Sequence, residues 1–330
     1  MKRILVTGGG GFIGSNIAGT LADHTDYRVV VADEFGHSEK WRNLAKHHIY
    51  EVISPGETFY WLESNKGSLD AIIHMGAVSS TTERDVDRLL ANNFALSRSL
   101  WNWAAENKKR FIYGSSSATY GNGDAGFKDE LSQAYLSRLT PMNPYGWSKQ
   151  LFDQFVSAAS AHKQDTPPQW VGLKIFNTYG PNEYHKEDQR SVINQIFPHA
   201  VHGRPVKLFK SYHPDYKDGG QLRDFLYVKD CVKVVAWLLA NPQVNGLYNL
   251  GSGHARTFDD VANATFSAVG KPPSIHYIEM PEHVRPNYQY YTEADMSKLR
   301  AAGYTDQFYS LEDGVKDYVQ HYLLKDDPYY

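Results

Sequence analysis

Cysteine is nearly missing from this chain of 330 residues: Cys231 is the only one. No intrachain disulfide can therefore form, and a zinc site built from several thiolates is excluded. Cys231 falls in an apolar helical pattern that no reactive motif frames, so it is expected as a buried core thiol. Long apolar runs are missing too. None reaches the roughly 18 to 20 residues that a membrane helix needs, and the best, around Val232–Ala240, is interrupted by Lys233. Nor is there an excess of positive charge: 34 Lys and Arg stand against 37 Asp and Glu, a net charge of −3. Such a balance offers no field to a nucleic-acid backbone or an anionic membrane, so neither partner is expected. The first residues run straight into a strand and a glycine turn, without the apolar helix and small-residue cleavage site of a signal peptide, so the cytoplasm is the expected compartment. No internal repeat is present. What is plentiful is aromatic, with 23 Tyr and 7 Trp. Most of these are expected to pack, although tyrosine-rich clefts also suit polyhydroxylated ligands.

The length suits two domains, or one large α/β unit with an added lobe. Up to about residue 180, short β-branched runs at Ile4–Thr7, Arg28–Asp33, Ala71–His74, Phe111–Ser115 and Trp170–Ile175 alternate with helical patterns. That alternation predicts βαβ crossovers and a parallel, doubly wound, Rossmann-like α/β sheet covered on both faces. A helix is expected over Val86–Glu106, with Leu89, Leu90, Phe94, Leu96, Leu100 and Trp103 on its apolar face, and another from about Tyr145. Residues 1–180 thus form the expected dinucleotide-binding domain. Residues 181–330 read as a smaller α/β substrate lobe that returns some elements to the first domain. In this half a helix is expected from about Ser191, strands at Val206–Phe209, Phe225–Val228 and Leu247–Leu250, and a helix at Asp230–Ala240. Thr257 to Asp260 and Ser310 to Asp313 have the shape of helix-opening capping boxes.

After the first strand comes Gly8-Gly9-Gly10-Gly11-Phe12-Ile13-Gly14, with G-x-x-G-x-x-G at Gly8, Gly11 and Gly14. Glycines there permit a tight turn, let backbone N–H groups approach a pyrophosphate and let a helix pack close to the strand, while the helix N-terminus favours the anion. The second strand ends in Asp33, about 20 residues beyond Gly14, where an acid accepts hydrogen bonds from the adenosine ribose. Asp33 and Glu34 should repel a 2′-phosphate and favour NAD. Lys40 and Arg42 follow closely enough to offset that charge, so NAD and NADP both stay open.

Tyr145-Gly146-Trp147-Ser148-Lys149 places Tyr145 and Lys149 four apart at a helix start, hence on one face. The ammonium stabilises a phenolate, and an oxidised nicotinamide adds positive charge, so a tyrosine of ordinary pKa about 10 can take a proton from an alcohol near neutrality. Upstream, the strand Phe111–Ser115 leads into Ser116-Ser117-Ala118-Thr119-Tyr120-Gly121 at the carboxyl end of the sheet. A serine hydroxyl there can hydrogen-bond the reacting oxygen.

Thr7 to Gly14, the serine strand and the Tyr145/Lys149 pair resemble the extended short-chain dehydrogenase/reductase family. Further segments resemble most the ADP-glyceromanno-heptose 6-epimerases within it. These are His74-Met75-Gly76-Ala77-Val78-Ser79-Ser80-Thr81-Thr82-Glu83, Phe176-Asn177-Thr178-Tyr179-Gly180-Pro181, His185-Lys186, Arg223-Asp224-Phe225 and Leu299-Arg300-Ala301-Ala302-Gly303-Tyr304. The resemblance implies Ser116 as hydrogen-bond partner of the substrate oxygen, Tyr145 as one acid/base, Lys149 as its electrostatic support and ribose ligand, and Lys186 as a second acid/base. It implies cofactor contacts from Gly8, Gly11, Phe12, Ile13, Gly14, Asp33, Glu34, Lys40, Gly76, Ala77, Ser79, Asn92 and Thr178. Substrate contacts fall on Ser80, Asn177, Phe209, Arg223 and Tyr288, the Arg223 fork being suited to a diphosphate.

The implied enzyme is a nucleotide-sugar epimerase acting by transient oxidation with tightly bound NADP or NAD, on ADP-heptose for the lipopolysaccharide core, as a homo-oligomer without metal. The chain departs from the family pattern in three places: Glu187-Asp188 follow Lys186 where these epimerases have Gly-Ser, Ser211–Leu222 is longer, and Glu34 replaces Asn. These leave room for a UDP- or GDP-sugar 4-epimerase or reductase. A dehydratase is disfavoured by Ser117-Ala118-Thr119, which lacks an Asp-Glu pair, and a non-catalytic dinucleotide-binding regulator by the joint presence of Ser116, Tyr145 and Lys149.

Overall fold

The computed structural model describes residues 1–161, 166–282, 284–285 and 288–330. Its first six strands are β1 (Lys2–Thr7), β2 (Tyr27–Ala32), β3 (Glu51–Ile53), β4 (Leu69–His74), β5 (Arg110–Ser116) and β6 (Trp170–Ile175). The next six are β7 (Asn177–Tyr179), β8 (Val206–Phe209), β9 (Leu222–Tyr227), β10 (Gly246–Leu250), β11 (Ala255–Thr257) and β12 (Ile275–Ile278). Among the strands of the first half run α1 (Phe12–Ala22), α2 (Thr58–Asn65), α3 (Val86–Leu89), α4 (Leu96–Glu106), α5 (Gln133–Leu136) and α6 (Pro144–Ala161). Beyond them come α7 (Val192–Ala200), α8 (Val228–Ala240), α9 (Phe258–Ala268), α10 (Ser297–Ala301) and α11 (Leu311–Tyr318).

A seven-stranded sheet in the order β3-β2-β1-β4-β5-β6-β10 is parallel throughout. This is the doubly wound Rossmann order with β10 added as a seventh strand, and its order reverses between β1 and β4, where such folds place ligands. Ile4, Leu5 and Val6, Val29 to Val31, and Ala71 to Ile73 are all fully buried. They are continuous apolar runs because helices cover both faces of the sheet. The strand β10, from beyond residue 180, pairs with β6 along its whole length, so the second half of the chain completes the first half's sheet. The remaining strands form β11-β9-β7 and β12-β8; α7, α9 and α11 pack against the first around Ile193, Phe225, Val261 and Val315, and Val206 and Leu208 of the second pack with Ala262 and Phe266 of α9.

Helix signals survive locally. Ser191 caps α7, the Thr257/Asp260 box caps α9, and Ser310 caps α11, each side chain accepting from a backbone N–H in the first turn. The helix expected over Val86–Glu106 is continuous but not uniform, because Leu90–Ala95 widens into a π-helical turn that brings Asn93 inward. Four strands escape sequence patterning: β3, β7 and β11, with three residues each, are too short to show a period, and β12 has four. Cys231 is fully buried on α8, and burial pushes its thiol up to about 12. No helix among the described residues is long and apolar enough to cross a membrane.

Candidate active site

The glycine turn joins β1 to α1 at the carboxyl end of the sheet. A Cβ on Gly14 would stand 2.1 Å from the Gly8 carbonyl oxygen, so only glycine lets the helix start this close to the strand. Gly11 is the N-cap of α1 and brings no side chain to cap it, and the first turn carries no acid. Its leading amides are thus open to an anion, and the helix dipole favours one. Asp33, just past β2, accepts from Gly10 N at 2.7 Å, Glu34 N at 2.7 Å and Lys40 Nζ at 2.6 Å. Lys40 also donates to the Glu34 carbonyl at 2.9 Å, so Asp33, Glu34 and Lys40 form one cluster beside the turn. Asn43 is fully buried and donates to the Gly10 carbonyl at 2.9 Å, while its Oδ1 has no partner among the described residues. Open helix amides, an acid at the strand end and a buried spare acceptor suit the pyrophosphate and ribose of a nicotinamide dinucleotide.

Across the switch point, β4 leads into the loop of Gly76, Ala77, Ser79 and Ser80. Met75 N donates to Thr7 O at 3.0 Å, joining this loop to β1. Asn93 fixes it from the helix side, accepting from Val78 N at 2.8 Å and donating to Val78 O at 3.0 Å and Ser148 Oγ at 2.9 Å. Ser148 in turn donates to the Tyr145 carbonyl at 2.7 Å. Asn92 lies exposed, its amide turned back to Arg88 O at 2.8 Å. Asn93 is therefore the residue that ties the loop to the helix of Tyr145. Its signal in the sequence was only a second Asn beside the first.

Ser116 ends β5 and its Oγ accepts from Ala118 N at 3.1 Å. Tyr145 lies in the first turn of α6. The helix comes close to the serine turn because its next residue is Gly146, where a Cβ would meet the Ala118 carbonyl at 2.6 Å. Burial raises the Tyr145 phenol above its usual value, and a hydrogen bond with Ser116 pulls it back. Lys149, one turn on, is buried, which lowers its ammonium to about 8 against the opposing pull of Asp153. Behind it His74 is bound by Thr7 Oγ1 at 2.6 Å and Ser97 Oγ at 2.8 Å. Burial, with the nearby Lys149, lowers this imidazole to about 3, so it stays neutral.

Lys186 arrives from the short helical segment Tyr184–Gln189. Its Nζ stands 5.1 Å from the centre of the Phe12 ring, at the head of α1. Burial lowers this ammonium and Glu183 opposes the shift. Glu183 is fully buried and bonded by Ser191 N, Ser191 Oγ and the Tyr318 hydroxyl. The following Glu187 is exposed at φ +50°, ψ −120°, a conformation that favours glycine. Gln189 reaches back across to Ser80 Oγ at 2.7 Å. A second cluster gathers Phe209, Arg223 and Tyr288: the Arg223 guanidinium lies 5.2 Å and Phe209 6.4 Å from the Tyr288 ring. Tyr290, 5.1 Å from Tyr288, and Tyr216 and His213 around it extend this aromatic wall into the long Ser211–Leu222 segment. Gln289 donates to the Gly121 carbonyl, which joins the cluster to the serine turn. Asn177 is exposed at the start of β7, and Thr178 Oγ1 donates to the Phe176 carbonyl at 3.0 Å.

The NAD dependent epimerase/dehydratase family matches residues 4–251 of the chain. An ADP-L-glycero-D-manno-heptose-6-epimerase of Nitratidesulfovibrio vulgaris is 47% identical over 328 residues, covering 98% of this chain and 99% of that protein. The protein of the same name from Fusobacterium nucleatum is 44% identical over 335 residues, covering 99% of each. Among solved structures, the Helicobacter pylori ADP-L-glycero-D-manno-heptose-6-epimerase is 30% identical with a TM-score of 0.77, covering 97% of this chain and 96% of that one.

Proposed function

The chain belongs to the NAD dependent epimerase/dehydratase family, and on that premise we propose that it is an ADP-glyceromanno-heptose 6-epimerase, inverting C6″ of the ADP-linked heptose to supply the lipopolysaccharide core. When bound, the nicotinamide supplies a hydride acceptor that gives back what it takes, so no net oxidation occurs. Ser116 hydrogen-bonds the reacting oxygen while Tyr145 removes its proton, and Lys149 holds the phenolate charge. Lys186 serves the same oxygen in the opposite orientation, donating a proton of its own ammonium once the keto sugar has presented its other face. Tyr145 then releases and Lys186 takes up a proton by exchange with solvent before the next turnover. The observation that carries this reading is the second lysine lodged over Phe12 beside the glycine turn, which offers a proton donor on a different element from Tyr145.

We place Gly8, Gly11, Phe12, Ile13, Gly14, Asp33, Glu34, Lys40, Gly76, Ala77, Ser79, Asn92 and Thr178 around a tightly held NADP or NAD. Ser80, Asn177, Phe209, Arg223 and Tyr288 are assigned to the nucleotide sugar, with Arg223 on its diphosphate. The proposed setting is the cytoplasm and the proposed form a homo-oligomer. The test is to incubate the purified protein with ADP-heptose and a panel of GDP- and UDP-sugars and to follow epimer formation by NMR. Deuterium placed on C6″ should stay in the product, and reaction in heavy water should add none at that carbon. Turnover of a UDP-sugar but not of ADP-heptose would overturn the substrate, and solvent label at C6″ would overturn the oxidation scheme.

A further inference from the structure

Beneath the serine turn lies a charged pair that the scheme above leaves unused. Tyr145, Lys149 and Asp153 follow one another at four-residue spacing on α6, so they share one face of the helix. Asp153 is fully buried. Its Oδ1 accepts from the Tyr113 hydroxyl at 3.1 Å, and its Oδ2 accepts from Ser115 Oγ at 2.7 Å and from Lys174 Nζ at 2.9 Å. Lys174, on β6, is fully buried as well, and it donates to Thr119 Oγ1 at 2.6 Å. Thr119 Oγ1 then donates to the Ser116 carbonyl at 2.8 Å. One continuous chain of bonds thus runs from the helix of Tyr145 and Lys149, through two buried ions, to the backbone of Ser116.

Taking two charges out of water is costly, and apolar residues of similar volume often stabilise a core as well or better. Stability is therefore a poor account of this pair, while its position is a good one. We propose that Asp153 and Lys174 are positioning residues for the reaction, Asp153 keeping the Lys149 ammonium charged beside Tyr145 and Lys174 holding both Asp153 and the Ser116 turn in register. The proposal rests on Ser116, Tyr145 and Lys149 forming the reacting face.

The groups around Lys149 give the direction of the effect. Tyr145 and Asp153 face it from α6 and neutral His74 from β4. Behind Asp153 stand Lys174 from β6, Tyr113 from β5, and Tyr120, whose ring lies 4.6 Å from Lys174 Nζ. Asp153 is the one carboxylate among these, and it opposes the burial that drives Lys149 down to about 8. Asp153→Asn keeps acceptor and shape but removes that charge, leaving Lys149 with burial and an unbalanced Lys174. Lys174→Met does the reverse.

The Lys149 proton affinity can be read directly by titrating the Nζ resonances of lysine-¹⁵N-labelled protein, assigned with Lys149→Arg. Asp153→Asn should lower the Lys149 midpoint by about one pH unit or more, a tenfold change in proton affinity. Lys174→Met should raise it, and Lys174→Arg should restore it to the wild-type value. If Lys174→Met does not fold, Asp153→Asn with Lys174→Met leaves no unpaired charge, and its midpoint should fall between those of wild type and Asp153→Asn. Midpoints that stay at the wild-type value in all variants would overturn the proposal. This titration needs no substrate, so it stands apart from the choice of sugar. With a substrate that turns over, the alkaline limb of the kcat profile should move with the midpoint while KM changes little, and a limb that stays put would overturn the link to catalysis.

Discussion

The Lys186 ammonium stands over the ring of Phe12, 5.1 Å from its centre, so a lysine from beyond β7 meets the first residue of the first helix. Nothing near either residue in the chain announces the other. The contact depends on Glu183, buried and bonded by Ser191 and Tyr318, which fixes the segment that carries Lys186.

If Tyr145 and Lys186 divide the proton transfers as proposed, the two roles should be separable by mutation. Tyr145→Phe and Lys186→Met should each lower kcat by about 10² to 10⁴, the usual contribution of a positioned general acid or base. Bound nicotinamide, released by denaturation and quantified, should stay at the wild-type level in both. Full activity in Lys186→Met would return both proton transfers to Tyr145.

Lys149 should trade stability for activity. In the folded chain it holds its proton only below about 8, in the unfolded chain up to about 10.4. Between those values the unfolded state binds more protons, so this site's contribution to stability rises with pH through that window, and below it the folded state bears the whole cost of a buried charge. Lys149→Met should therefore gain about 3 kcal/mol at pH 7, a gain that fades toward pH 10, while kcat collapses. Urea unfolding at pH 7 and pH 9.5 reads the difference, and a variant less stable at pH 7 would contradict it.

The glycines of the turn should fail in different ways. At Gly14 an added Cβ meets backbone, the Gly8 carbonyl, at 2.1 Å, so Gly14→Ala should destabilise the chain by about 1 to 3 kcal/mol, as overpacking does. At Gly11 the same atom stands 3.2 Å from that oxygen. Gly11→Val should fold with little change in Tm yet lose the nicotinamide, because its side chain occupies the approach to the helix amides. Equal loss of Tm in the two variants would count against the distinction.

Lys40 is the counter-ion of Asp33, at 2.6 Å. Removing it leaves Asp33 and Glu34 unopposed where a 2′-phosphate would come. Lys40→Ala should therefore weaken NADP more than NAD in equilibrium binding, and equal losses would remove Lys40 from the choice between the two cofactors.

Much of the site is local and hence legible from the chain. A strand, a glycine turn and a helix follow one another over Lys2–Ala22, and the Tyr145/Lys149 spacing is a property of any helix. The four-residue periods that set Tyr145, Lys149 and Asp153 on one face, and the apolar runs that fill a sheet covered on both sides, need no long-range information. Even the caps at Ser191, Thr257 and Ser310 involve residues within one turn of each other.

Other features exist only after folding. Asn93 turns inward because a π-helical turn shifts it by part of a turn, and Lys174 looks like any lysine in a strand until β6 lies beside β5 with Asp153 above it. The meeting of Lys186 with Phe12, and of Phe209 with Arg223 and Tyr288, likewise joins segments far apart in the chain. The parallel α/β architecture, the glycine turn and the Tyr145/Lys149 pair follow from the chain alone, because backbone period and turn chemistry act over a few residues. Which lysine is paired, which asparagine is buried and how charged each ammonium is emerge with folding, because desolvation and ion pairing depend on what other strands and helices bring alongside.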